Sequence, residues 1–188
     1  EGEKLFELLL TKEQIGHILA VLRKHQIPMV LEGPNYIYVD EKDFADDPYV
    51  IYLRNELGEN LKSITGTAQY EVNKLSAELG NADVELVRKE LGTEFDMIVH
   101  EPDGILEIGQ AGHSKASGIE RLCASLGIAK EDTYAFGDSA NDVEMLEFVA
   151  HGIAMGNGTD VAKNAAEFVT TDIHKDGIWN GLKHYGLI

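Results

Sequence analysis

The sequence predicts an α/β fold in two parts, an α+β segment over residues 1–108 followed by parallel-sheet units with flanking helices over residues 109–188. Three observations carry this. Apolar residues recur at helical spacing in several stretches and in short β-branched or aromatic runs in others. Before Gly109 the strand-like runs are paired by turn signals, as in an antiparallel sheet. After Gly109 helix and strand patterns alternate, as βαβ units demand.

In chain order, Lys4 to Leu10 is apolar enough for a strand. Thr11 with Gln14 forms a capping box, and Ile15, Ile18, Leu19 and Leu22 repeat on one face, so an amphipathic helix is expected from Thr11 to His25. Pro28 to Gly33 and Tyr36 to Val39 read as strands about a Gly33-Pro34-Asn35 turn. Asp43 to Leu57 is expected to be helical and Glu71 to Ser76 a strand. Asn81 is placed to cap a helix with Val84, Val87 and Leu91 on one face. Phe95 to His100 and Ile105 to Ile108 flank Pro102-Asp103-Gly104, a hairpin signal. The sheet so formed is expected to carry its helices on one face. No internal repeat, low-complexity tract or Pro/Ser-rich linker interrupts it.

In the second part, Ser114 caps a helix to Leu126 that Gly127 closes, with Ile119, Leu122 and Leu126 expected to face inward. Thr133 to Phe136 reads as a buried strand. Asn141 with Glu144 resembles a capping box for a helix carrying Val143, Leu146 and Val149. Gly152 to Met155 is a strand, Gly156-Asn157-Gly158 a turn, Thr159 the cap of a short helix, Phe168 to Thr170 a small strand and Asp176 to Tyr185 a last helix. Trp179 and Tyr185 are expected to be packing residues.

Composition bounds the function. With 188 residues and 44% hydrophobic content the chain can bury a sizeable core. Sixteen basic against 33 acidic residues give a formal charge of −17, which argues against nucleic acid or an anionic membrane as partner. Cys123 is the single cysteine, so an intrachain disulfide is impossible and a reducing cytoplasm is expected. No apolar run approaches the ~18 residues of a membrane-crossing helix.

The chemistry concentrates in Thr133 to Met145. A strand ending at Gly137 delivers Asp138 at its carboxyl end and Asp142 in the next turn, where open α/β sheets bind ligands. Two carboxylates with the amide of Asn141 suit Mg²⁺, which takes one or two carboxylates plus water and phosphate. Ordinary capping acids would give the same spacing. Lys115, at the start of a helix, opposes the helix dipole by roughly 0.3–1 kcal/mol, and phosphate contact is the job that placement suggests.

The run Gly137-Asp-Ser-Ala-Asn-Asp-Val-Glu-Met-Leu resembles the metal-binding motif of the haloacid dehalogenase-like (HAD) phosphatases of the Cof type. Leu106-Glu-Ile, His113-Ser-Lys-Ala-Ser-Gly-Ile-Glu-Arg-Leu, Gly152-Ile-Ala-Met-Gly-Asn-Gly, Val161-Ala-Lys-Asn-Ala-Ala-Glu-Phe-Val-Thr and Asp176-Gly-Ile extend the likeness. The motif match is specific from Leu106 onward and architectural before it. The resemblance implies a partial Rossmann-like core over 109–188 and an α+β cap domain over 1–108. It implies a phosphomonoesterase acting on sugar phosphates or similar small metabolites. Lys115 would then serve the nucleophile and phosphate, Asp138 would ligate Mg²⁺, Asn141 would orient phosphate or lysine, and Asp142 would support the metal directly or through water. Ala116 stands where the family more often has Gly.

The same resemblance calls for an Asp-x-Asp-Gly-Thr stretch after a first strand, supplying nucleophile and acid/base, and none occurs in these residues. Asp40 and Asp43 follow an apolar strand but lie three apart with no Gly-Thr after them. The Ser/Thr element of the phosphate site is also missing. The chain is therefore expected to be an amino-terminally shortened form of a longer protein, lacking on the order of 80 residues, inactive alone and binding Mg²⁺ weakly or not at all. An uncovered core edge is expected to favour self-association. A non-catalytic binding module and an unrelated phosphate-binding α/β domain are the competing classes.

Overall fold

A computed structural model describes residues 5–65, 70–100 and 104–188. The chain divides into two compact units, Glu1–Ala111 and Gly112–Ile188.

In the first unit, α1 (Lys12–Lys24) opens on the Thr11–Gln14 capping box, in which Thr11 N–H donates to Gln14 Oε1 at 2.8 Å and Gln14 N–H to Thr11 Oγ1 at 3.2 Å. Its apolar stripe of Ile15, Ile18, Leu19 and Leu22 is buried. A six-stranded sheet runs in the order β3-β2-β1-β4-β6-β5, with β1 Met29–Glu32, β2 Ile37–Val39, β3 Leu61–Ser63, β4 Lys74–Glu78, β5 Phe95–His100 and β6 Ile105–Gln110. The β2–β3 pair is parallel and the rest antiparallel. The register aligns Leu31, Leu75, Ile108 and Met97 in one cross-strand row. Each side chain of this row contributes roughly 1.5–3 kcal/mol by burial. With α1 and α4 (Val84–Leu91) they form the unit's main core.

The strand period of two puts Val30 and Val39 on the opposite face. There they pack with Val50 of α3 (Pro48–Leu57), so the helices do not all lie on one side as the sequence suggested. Further along that face Lys74 Nζ lies 3.0 Å from Glu107 Oε1 and 3.5 Å from Glu32 Oε2.

Several expectations are corrected. Residues 5–11 form no strand; Leu10 N–H donates to Val72 C=O at 2.8 Å, Leu8 C=O accepts from Asn73 Nδ2 at 2.7 Å, and the Leu10 side chain is buried in the main core. The stretch read as one helix is two, α2 (Glu41–Phe44) and α3, because Asp47 caps a new start with Pro48 at its first position. Strand β4 begins at Lys74 rather than Glu71. The cap of α4 is Asp83, whose carboxylate accepts from Glu85 and Leu86 N–H, not Asn81. Strand β3 gave no usable pattern in three residues. Lys4, at the start of the first expected strand, and Pro102 and Asp103 of the hairpin turn lie outside the described residues.

In the second unit a parallel sheet runs in the order β7-β8-β9, with β7 Tyr134–Gly137, β8 His151–Ala154 and β9 Phe168–Val169. The helices are α5 (Lys115–Leu126), α6 (Val143–Phe148), α7 (Asp160–Ala165) and α8 (Gly177–His184). Ala135 pairs with Gly152 and Phe136 with Ile153, on opposite faces. Helix α6 sits on the first row so closely that a Cβ on Gly152 would come within 2.2 Å of Leu146 O. Helix α8 covers the second row, where a Cβ on Gly181 would meet Phe136 Cε1 at 2.5 Å.

Packing through Gly177 and Gly181 explains why Trp179 is not the packing residue the sequence suggested. It is 52% exposed, with Lys183 Nζ 4.7 Å from its ring centre. Tyr185 is half-buried against Tyr134 and His151. A second correction concerns α5. Ser114 and Gly127 bound it as expected, yet none of its residues is buried, and Leu122 and Leu126 are 46% and 57% exposed. Strand β7 is an edge strand, and among the described residues no strand pairs with its outer side. No helix among the described residues is long and apolar enough to cross a membrane.

Candidate active site

At the carboxyl end of β7 the chain turns through a short 3₁₀ segment, Ala140–Asp142, before α6 begins. Ser139, not Asn141, stands at the cap, with Asp142 as the acid three residues on. Asp142 is 4% exposed and its carboxylate closes the turn, with Oδ2 accepting from the N–H groups of Asp138 at 2.9 Å and Ser139 at 3.2 Å. The turn is tight enough to require glycine before it. A Cβ on Gly137 would fall 2.6 Å from Asp142 Cβ.

The other oxygen of Asp142 accepts a hydrogen bond from Lys115 Nζ in a direct ion pair. Lys115 is the first residue of α5, after the Ser114 cap, and its side chain is about half exposed. Burial pushes the Asp142 carboxyl up, but the Lys115 hydrogen bond, the two amide donors and the Lys115 charge outweigh it. The group lies below the ordinary aspartate range and is ionised at neutral pH.

Asp138 is exposed, and its carboxylate has no hydrogen bond or ion pair among the described residues. Its backbone is held from the other side, since Thr159 N–H donates to Asp138 C=O at 2.8 Å. A Cβ on Gly158 would come within 2.9 Å of that oxygen. Asn141 is half-buried and accepts from Ser139 Oγ at 2.7 Å through Oδ1. Lys115, Asp138, Asn141 and Asp142 thus come from two segments of the second unit to one sheet edge.

Sequence reasoning missed the supporting residues. Ser139 was legible as the first member of Ser-x-x-Asp, a capping-box spacing. The closeness of Gly158 and Thr159 to Asp138 is a tertiary fact with no local signal. Asn157, a neighbour in that turn, accepts from Ile173 N–H at 2.9 Å and is a structural tie.

The residues present suit a magnesium site in part. Asp138 offers a hard oxygen open to solvent, whereas both oxygens of Asp142 are engaged by donors. Among the described residues no three His, Cys, Asp or Glu side chains are grouped to hold a metal. Mg²⁺ commonly keeps most of its shell as water and phosphate, so a single open carboxylate fits a water-rich site and not a protein-caged one.

The sequence pattern of the haloacid dehalogenase-like hydrolases matches residues 1–182. The chain is 36% identical over 138 residues to the 5-amino-6-(5-phospho-D-ribitylamino)uracil phosphatase YitU of Bacillus subtilis, covering 71% of this chain and 47% of that protein. It is 30% identical over 193 residues to the phosphoglycolate phosphatase of Halobacterium salinarum, covering 86% of this chain and 85% of that protein. Among solved structures, a protein of Geobacillus kaustophilus superposes with a TM-score of 0.78 at 31% identity, over 98% of this chain and 71% of that one. The HAD subclass IIB sugar phosphatase BT4131 superposes with a TM-score of 0.80 at 23% identity, over 97% of this chain and 70% of that one, a likeness of fold. The chain spans under half the length of YitU.

Proposed function

The chain belongs to the haloacid dehalogenase-like hydrolase family, and from that premise we propose that it is the part of a Mg²⁺-dependent phosphomonoester hydrolase of the Cof type that binds phosphate and metal, acting on sugar phosphates or similar small phosphorylated metabolites. The observation that carries this is the convergence of Lys115, Asp142 and Asp138 at the end of β7. Asp142 holds the ammonium of Lys115 in place, so the cation is oriented before any phosphate arrives. Lys115 then neutralises phosphate oxygens as a point charge. Asp138 is the residue open to Mg²⁺, with Asp142 supporting the metal's water, and the metal would withdraw charge from the phosphoryl group. Asn141 orients the phosphate or the lysine through its amide.

The covalent step of this family uses an Asp-x-Asp-Gly-Thr stretch, and the 188 residues contain none. We therefore assign phosphate and metal binding, not turnover, to this chain alone, in a reducing cytoplasm where Cys123 stays a thiol. The first unit is read as the cap domain. The acidic balance favours a small metabolite over nucleic acid or membrane as partner. The exposed stripe of α5 and the unpaired edge of β7 favour self-association through that face.

Titration with inorganic phosphate in the presence of Mg²⁺, followed by calorimetry, tests the reading. Binding is expected to be saturable and at least ten-fold weaker in Lys115→Met, with no release of p-nitrophenol from p-nitrophenyl phosphate by either protein. Phosphate affinity unchanged in Lys115→Met, or turnover by the chain alone, would overturn it.

A further inference from the structure

An asparagine amide has two unlike ends, an oxygen that accepts and a nitrogen that carries two donors, and the end a site presents decides what it can hold. In the turn after β7 that choice falls to Ser139. Its Oγ donates to Asn141 Oδ1 at 2.7 Å, which faces the oxygen toward the serine and leaves Nδ2 as the other end. Nδ2 has no hydrogen-bond partner among the described residues and is open to solvent. Ser139 itself is firmly placed. Its backbone is extended, with φ −138° and ψ 179°, and its N–H donates to Asp142 Oδ2 at 3.2 Å. Through its other oxygen the same carboxylate anchors Lys115.

The donor end excludes two of the three partners open to Asn141. An ammonium has donors only, so Lys115 cannot bond to Nδ2, and its own partner is Asp142. Mg²⁺ takes oxygen ligands, so Nδ2 cannot ligate it. The oxygens of an ionised phosphate accept hydrogen bonds, and an N–H donor suits them.

We propose that Ser139 is a positioning residue for phosphate, holding the Asn141 amide in the orientation in which Nδ2 donates to a phosphate oxygen. This role presupposes the phosphate site proposed above, and it makes Asn141 a contact of the anion and not a support of the lysine. Ser139 touches neither phosphate nor metal and acts only through Asn141.

Ser139→Ala removes the hydroxyl and keeps the backbone N–H bond to Asp142, so the turn is expected to stay folded. Without the hydroxyl the amide can present either end. Calorimetric titration with inorganic phosphate in the presence of Mg²⁺ is then expected to show affinity about five-fold weaker than wild type. Ser139→Thr restores the hydroxyl on an extended backbone that suits a β-branched residue, and is expected to bind within about two-fold of wild type. In an Asn141→Ala background, Ser139→Ala is expected to change affinity by less than about two-fold, because the amide it acts through is gone. A serine that only stabilised the turn would cost the same in both backgrounds. Equal losses in the two backgrounds, or a Ser139→Thr no better than Ser139→Ala, would overturn this role alone. So would unchanged binding in Ser139→Ala while Lys115→Met still weakens it. Wild type that binds no phosphate would overturn the role together with the phosphate site it presupposes.

Discussion

Asp142→Ala is expected to destabilise the second unit by roughly 2–4 kcal/mol, because it strands two amide donors and removes the partner of an ammonium in one step. The Asp138 and Ser139 N–H groups now end on a carboxylate that is 4% exposed. Alanine cannot replace either bond. Asp142→Asn keeps one carbonyl oxygen for the amides and gives up the ion pair, so its cost should be smaller, at about 1–2 kcal/mol. Urea unfolding followed by the fluorescence of Trp179, the only tryptophan and a residue of the second unit, measures both.

The same pair sets a pH dependence. The Asp142 carboxyl is held below its ordinary value once the Lys115 hydrogen bond, the amide donors and the Lys115 charge outweigh burial. Its stabilisation is therefore complete above the unfolded aspartate value of about 3.9 and is lost as pH falls through the lower folded value. Wild type should lose stability over that acid window, and Asp142→Asn should lack this component.

Leu122→Glu with Leu126→Glu is expected to weaken self-association by about a thousand-fold. Each leucine is roughly half exposed in the single chain, so covering it against a partner contributes on the order of 1 kcal/mol. In a two-fold dimer each substitution counts twice, which brings the total to about 4 kcal/mol. Ile128, just beyond the Gly127 stop of α5, is also 42% exposed. Sedimentation equilibrium should show wild-type dimers or larger species and monomers of the double variant. A wild-type chain that stays monomeric at high concentration would contradict the assignment of this face.

Legibility in the sequence followed the range of the interaction. Elements whose signals are local were readable: the Thr11–Gln14 box, the Gly127 stop, and the β-branched and aromatic runs of the longer strands. The approach of Lys115 to Asp142, 27 residues apart, was expected only through the motif likeness, since no period in the sequence reports a tertiary contact. Trp179 misled because its near-helical spacing to Tyr185 suggested a packed face, while α8 packs through glycines whose small size allows the approach. The stripe on α5 misled in the opposite way, since periodicity identifies an apolar face and says nothing of whether anything covers it. Asp40 read as one half of a failed Asp-x-Asp pattern. Its burial beside Arg23 depends on α1 and β2 meeting, which only the fold shows.

The central claim is that the end of β7 is a prepared phosphate and metal site in which Asp138 is the open oxygen ligand. Mn²⁺, a paramagnetic stand-in for Mg²⁺, tests it most directly through relaxation of the ¹⁵N-labelled chain. Broadening should begin at Asp138 and Ser139, reach Lys115 next, and vanish from that region in Asp138→Asn. Broadening that starts elsewhere on this acidic chain, or that persists around Ser139 in Asp138→Asn, would contradict the account.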